Sequence, residues 1–258
     1  KFSQGAAGRV VRPLVAFMLA LASLVVGRIA EGQDKSLLWK ISDDKNSVFL
    51  LGSIHYLRKK NYPLNQAILD AFDGSKTLVL EIDLNSTAAE AAQRLTLEKA
   101  VYRDGTTLAQ NVAPETYQLA AQRAKELGVD MRIMNPMKPW FVALTLVAIK
   151  LQSLGLDANS GVDRYLAQRA KNNGKATRGL ETLEFQIGLL DQLPKTDQEQ
   201  MLRETVRELD LLDKNIDEIV QSWAKGDVDL LARLLLAGMK EYPEVYQRIV
   251  VERNRRWL

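Results

Sequence analysis

The 258-residue chain contains no cysteine and only one histidine, His55. The first absence excludes disulfides, thiolate nucleophiles and thiolate metal sites. The second leaves a single imidazole for proton transfer or metal ligation. No stripe of one charge sign is present either: 35 Lys/Arg and 32 Asp/Glu alternate along the chain and sum to +3, which argues against a nucleic-acid footprint. There is no internal repeat and no low-complexity segment. A G-x-S-x-G nucleophile elbow is missing, so the serine hydrolases built on that turn are disfavoured.

Long apolar runs are also scarce, with one exception near the start. Arg9 and Arg12 precede an apolar stretch from Leu14 to Val26, and Ala30-Glu31-Gly32 follows with small residues. This is the composition of a secretory signal, so residues 1–32 are expected to be a signal peptide or N-terminal anchor. Gly27-Arg28 interrupts the run short of the roughly 20 residues a spanning helix needs, which favours cleavage. The expected location is therefore exported, periplasmic or secreted, with membrane contact only through this segment if it is retained.

The remaining residues, 33–258, suffice for one domain with its own core. Leu37 to Ile41 and Val48 to Leu51 read as strands around the polar turn Ser42-Asp43-Asp44-Lys45-Asn46. A helix is expected from Leu64 to Phe72 with its stop at Gly74, then a strand over Thr77-Leu78-Val79-Leu80. Helices follow at Thr87 to Val101 and from Pro114 to Leu127, then a short strand over Asp130 to Met134, then helices at Phe141–Leu151 and Gly161–Gly174 and a strand near Ala176–Leu180. Beyond Glu181 the pattern is helical throughout. Leu202, Val206, Leu209, Leu212, Ile216, Ile219 and Val220 predict one long amphipathic helix ending near Trp223. Gly226-Asp227 breaks it, a second helix runs through Leu230, Leu231, Leu234 and Leu235, and a third begins after Pro243 and still lacks a stop signal at Leu258, which suggests that further strands follow. The fold class is thus α/β: a mixed, partly parallel sheet flanked by helices, with an α/β core over about 36–185 and a large helical region over about 186–258. That helical region could be a lid over the site or an interface.

Topology then assembles a candidate site. The run Val48 to Leu51 breaks at Gly52-Ser53-Ile54-His55, and the run ending at Leu80 delivers Glu81-Ile82-Asp83. Two such strands joined by a helix make a parallel βαβ unit, whose carboxyl edge is where open α/β sheets place ligands. His55, Glu81 and Asp83 have the donor types for a divalent ion, with the two carboxylates about 6.6 Å apart along the strand. Two or three protein ligands would leave open positions for water. Glu181 could add a ligand or serve as general base. Arg253 could hold a carboxylate or stabilise an oxyanion, with Asn254 assigned beside it and Arg255 and Arg256 left as a solvated face. Ordinary explanations stand next to each: a structural histidine, helix capping or Arg pairing for Glu81 and Asp83, and a dipole-favoured carboxylate at Glu181. Ser53 would share a face with His55 if the strand ran on, the basis of a Ser–His alternative.

Gly52-Ser53-Ile54-His55, Tyr62-Pro63-Leu64, Leu80-Glu81-Ile82-Asp83, Lys138-Pro139-Trp140, Gly161-Val162-Asp163, Gly179 to Gln186 and Glu252 to Trp257, taken in order, resemble the TraB/GumN family. That family is similar to the Tiki metalloproteases and, more distantly, to the ChaN and erythromycin-esterase folds. The resemblance implies a first GxxH motif at Gly52 and His55, an acidic residue at Glu81, and a second GxxH that would lie downstream of Arg253-Asn254. It implies a metal-dependent, peptidase-like hydrolase using Mn, Co or Zn and acting on a peptide or small-molecule ligand. Its alternatives are a non-catalytic protein that binds a peptide, a pheromone-like ligand or haem, and an inactive fragment.

Overall fold

A computed structural model describes residues 36–86, 89–236 and 243–257. The expected signal segment lies outside these residues. The described chain opens with a hairpin, β1 (Leu38–Ser42) and β2 (Ser47–Leu51), paired antiparallel from Leu38↔Leu51 to Ser42↔Ser47. Its turn closes because the Asp43 carboxylate accepts the backbone N–H groups of Lys45 and Asn46 at 2.8 and 2.6 Å, a local alternative to ladder bonding at which Asp excels. Helix α1 (Gln66–Gly74) is capped by Asn65, whose side chain accepts from Ala67 N at 2.8 Å. Strand β3 (Thr77–Ile82) follows.

Next come α2 (Ala89–Ala100), α3 (Leu108–Asn111), α4 (Pro114–Glu126), α5 (Met131–Met134), α6 (Pro139–Ser153) and α7 (Val162–Asn172). Both α4 and α6 carry proline at the first helical position, where the missing N–H costs nothing. Helix α6 is apolar on nearly every side and is the centre of the core: Val142, Ala143, Leu146, Val147 and Leu151 are fully buried. Strand β4 (Ala176–Glu181) then pairs parallel with β3, from Thr77↔Ala176 to Ile82↔Glu181.

Helices α8 (Leu183–Asp191), α9 (Lys195–Glu208), α10 (Leu211–Lys225) and α11 (Val228–Leu236) complete the helical side. The last described stretch is α12 (Pro243–Tyr246), a π-helical segment (Gln247–Glu252) and α13 (Arg253–Trp257). Helix α9 packs on α6 and α4, while α7 packs on β3 and β4.

The α/β class and its partly parallel pairing agree with the sequence reading, and three details differ. The parallel unit is β3–β4, not β2–β3: β2 takes β1 as its partner, because a short polar turn closes a hairpin at far lower cost in chain entropy than a crossover. The expected strand at Asp130–Met134 is α5. Its Met131 and Met134 are buried three residues apart while Ile133 is 67% exposed, a helical spacing that five residues of alternating pattern had masked. The long helix ending near Trp223 is two helices. Where they part, Arg123 donates to the Val206 carbonyl at 2.9 Å, a group through which the ladder would otherwise continue, and to the Asp210 carboxylate at 2.8 Å.

Candidate functional site at the carboxyl edge of the parallel pair

His55 leaves β2 on an irregular segment that other elements hold in place. The Gly52 carbonyl accepts the indole N–H of Trp223 from α10 at 2.8 Å. The Ile54 carbonyl accepts Val162 N at 2.9 Å, and Leu57 and Asp157 exchange backbone hydrogen bonds. These ties bring the start of α7 against His55. Gly161 makes the approach possible: a Cβ there would lie 2.4 Å from the His55 carbonyl oxygen. In the first turn of α7, Asp163 Oδ1 stands 2.9 Å from His55 Nδ1.

The opposite ring nitrogen, Nε2, is buried and has no hydrogen-bond partner among the described residues, and the Ser53 hydroxyl is in the same condition. Serine and histidine therefore do not bond to each other, and a Ser–His pair is not formed here. Asp163 Oδ1 likewise lacks a fully formed hydrogen bond among the described residues. Buried polar atoms without partners are rare and cost about 1–3 kcal/mol each, so their clustering here makes this a candidate place for a polar ligand, an ion or water to bind.

Glu81, near the end of β3, and Glu181, the last residue of β4, meet at the carboxyl edge of the parallel pair. Arg253, 2% exposed at the start of α13, joins them. Its Nη2 donates to Glu81 Oε2 at 2.8 Å, its Nε donates to both oxygens of Glu181 at 2.9 and 3.2 Å, and its Nη2 also donates to Glu181 Oε1. Gln186 on α8 bridges the two carboxylates, at 2.6 Å to Glu181 and 3.2 Å to Glu81. Trp257 donates its indole N–H to Glu181 at 3.1 Å, and its ring lies 4.6 Å from the guanidinium carbon of Arg253. A charge taken out of water needs this degree of pairing.

The two halves of the site feel each other. Burial pulls the His55 imidazole toward its neutral form, but the hydrogen bond and charge of Asp163, helped by Glu81 and opposed by Arg253, leave its pKa raised. Burial lifts the Glu81 carboxyl above the ordinary carboxylate range despite the pull of Arg253 and His55, and Glu181 adds to the rise.

Of the residues picked out in the sequence, His55, Glu81, Glu181 and Arg253 come together, and Asn254 follows Arg253 on α13, half-buried. Asp83 is engaged elsewhere: its carboxylate accepts the Thr177 hydroxyl at 2.9 Å and Asn85 N at 3.0 Å. It shapes the turn after β3, where Gly179 lets the Asp83 backbone approach to within 2.8 Å of where a Cβ would sit. Among the described residues no three His, Asp or Glu side chains are grouped to hold a metal ion. The orphaned Nε2 of His55 and the Glu81 carboxylate are of the donor types such an ion takes, although Glu81 is paired with Arg253, and the carboxylate behind Nδ1 is the usual backing of a metal-bound histidine. Asp163, Gln186 and Trp257 were missed as site residues. Gly161-Val162-Asp163 is legible in the sequence as a helix start and as one of the motifs of the family resemblance, with no site role attached to its acidic residue.

A model of the TraB/PrgY/gumN family matches residues 37–258. Among curated proteins, the uncharacterized protein YbaP of Escherichia coli (strain K12), like its namesake in Shigella flexneri, is 30% identical over 145 residues, 56% of this chain and 52% of its own. An uncharacterized protein of Treponema pallidum (strain Nichols) is 24% identical over 199 residues, 74% of this chain and 57% of its own. The chain thus spans about half the length of the curated relatives it matches. No solved structure matches it. The family match takes in both strand pairs, the His55 segment, the two glutamates and Arg253 alike, and on that extent the chain belongs to the TraB/PrgY/gumN family.

Proposed function

We propose that this protein is an exported, metal-dependent hydrolase of peptide or amide bonds, working at the carboxyl edge of β3 and β4. The observation that carries the reading is the buried, unpartnered Nε2 of His55, backed by Asp163 and within electrostatic reach of Glu81. His55 Nε2 and Glu81 would hold a divalent ion such as Mn²⁺, Co²⁺ or Zn²⁺, together with donors beyond those the described residues bring together. Such an ion lowers the pKa of its bound water and polarises a carbonyl.

The chain's own residues divide the rest. Glu181 takes a proton from the attacking water as the oxygen bonds to the carbonyl carbon. Arg253, with Asn254 beside it, offsets the negative charge that grows on the carbonyl oxygen. The proton then passes from Glu181 to the nitrogen as the C–N bond breaks, giving a free carboxyl and a free amine. Export is proposed from the basic and apolar composition of residues 1–32.

One observation favours a second reading. Arg253 already ties up both glutamates, as suits a site that binds a peptide, a pheromone-like ligand or haem without turnover. The two are separated by titrating the protein calorimetrically with Mn²⁺, Co²⁺ and Zn²⁺, then following a defined peptide mixture by mass spectrometry, with His55→Ala as control. Stoichiometric metal binding and new peptide termini, both lost in the variant, are expected. Peptide binding without new termini under any of the three metals would sink the hydrolase and leave the binder.

A further inference from the structure

We infer that Asp163 is the positioning residue of this site: it holds His55 as the Nδ1–H tautomer, so that Nε2 is the nitrogen offered to whatever the site binds. The inference rests on His55 being the group this site offers to a ligand, and it concerns how that group is prepared rather than what it binds.

The argument begins with what makes the contact unavoidable. Val162 N is bonded to the Ile54 carbonyl at 2.9 Å, so α7 begins directly against the residue preceding the histidine. Glycine at 161 allows it, since a methyl group there would lie 2.4 Å from the His55 carbonyl oxygen and 2.9 Å from Asp163 Oδ1. Asp163 then has little choice of partner. Its Oδ1 is buried and, like Nε2, has no fully formed hydrogen bond among the described residues; the ring nitrogen Nδ1, 2.9 Å away, is the ion-pair partner the structure sets against it. A carboxylate accepts and does not donate, so it can only face an Nδ1 that carries the proton. In a neutral imidazole one nitrogen donates and the other accepts, and Nε2 is left with its lone pair bare. A free neutral histidine prefers the Nε2–H form, which makes the opposite form a signature of the carboxylate.

Asp163 has a structural role as well, as an acidic side chain in the first turn of α7. That role would be indifferent to which ring nitrogen carries the proton, and the two can be told apart. The other charged groups facing His55 are Glu81 and Arg253. Neither has a hydrogen bond to the ring among those the structure shows.

Because His55 is the only histidine, ¹⁵N-histidine labelling gives one pair of ring signals with no assignment problem. At a pH where the ring is neutral, the wild type is expected to show the Nδ1–H form in excess of the Nε2–H form by about tenfold, the effect of roughly one charge-assisted hydrogen bond. Asp163→Asn, which can donate as well as accept, is expected to lower that ratio at least several-fold while far-UV circular dichroism stays native, and Asp163→Glu to bring part of it back. An Nε2–H wild type, or a folded Asp163→Asn variant with an unchanged ratio, would overturn the inference. If Asp163→Asn does not fold, the wild-type tautomer decides alone. The reading needs no turnover, so an Nδ1–H ring in a protein that cleaves no peptide would end the hydrolase proposal and leave this one standing.

Discussion

Helix α6 with its neighbours α4 and α9, and the strand pair β3–β4 with α13, distribute their side chains in opposite ways. Along α6 the apolar residues are inside: Trp140 is 1% exposed and Val142, Ala143, Leu146, Val147 and Leu151 are fully buried. At the sheet edge the apolar residues Val79 and Leu180 are 52% and 48% exposed, while Arg253 and Glu181 are 2% and 6% exposed. Parallel strands are usually covered on both faces; here α7 packs on the pair. The helical side is held by packing and the sheet edge by paired charge. The two regions are stabilised by different forces, so each should fail in its own way.

The largest effect is expected where charge is the glue. Arg253→Met leaves Glu81 and Glu181 partly or wholly buried without their cation, and unfolding free energy in a denaturant titration should fall by about 3–5 kcal/mol. Adding Glu81→Gln and Glu181→Gln in the same background should recover most of that loss, because neutral amides remove the unpaired charge while Gln186 remains as a partner. A triple variant no more stable than Arg253→Met would mean that the edge is held by the shape of Arg253, through its contact with Trp257, and not by its charge.

How far this contrast could be read from the sequence depends on the range of the signal. The periodicity of α6, the prolines at Pro114 and Pro139 and the stop at Gly226 are local, and local physics decided them. Asp130–Met134 was misread because a five-residue window cannot distinguish period 2 from period 3.6 when Met, Ile and Met all look apolar. His55, Glu81, Glu181 and Arg253 were legible as chemistry-bearing residues at strand ends and in an arginine-rich segment. That Arg253 would bond to both glutamates, and that Asp163 rather than Asp83 would meet the neighbourhood of His55, depends on how elements about 100 residues apart are docked. No spacing in the chain encodes this. The wrong partner assigned to β2 illustrates the same limit: His55 comes within electrostatic range of Glu81 by a route other than the βαβ unit that first suggested their meeting.

A cut on the other side of the comparison should be nearly as costly and chemically silent. Leu146→Ala removes three buried carbon atoms' worth of packing at the centre of α6 and is expected to cost about 2–5 kcal/mol, depending on how far α9 and α4 relax into the cavity. Because α6 contributes no group to the edge, the tautomer of His55 and any metal or peptide binding should be unchanged at temperatures where the variant is folded. A changed ring signature in Leu146→Ala would show that packing and site are coupled.

The smallest effect tests whether pH acts through the edge alone. The folded state raises the pKa of His55, with the hydrogen bond and charge of Asp163 prevailing over burial. A raised folded pKa means that the native protein binds the proton more tightly than the unfolded chain. The stabilisation is therefore complete below the unfolded value near 6.5 and is lost as pH rises through the folded one. Glu81 is raised too, through burial, so its contribution has the same sign and begins to fade above its ordinary value of 4.5. Denaturant midpoints measured from acid to alkaline pH should show the wild type losing stability relative to His55→Asn as pH climbs past neutrality, and relative to Glu81→Gln over a window that opens at lower pH. Leu146→Ala should run parallel to the wild type across the whole range, since no titrating group lies in the packing it disturbs. If the wild type and His55→Asn also ran parallel, the tie between Asp163 and the imidazole would be too weak to favour the protonated ring, and the pH response of the fold would have to come from exposed carboxylates such as Asp43, which are held low by backbone N–H groups and destabilise with the opposite sign, toward acid.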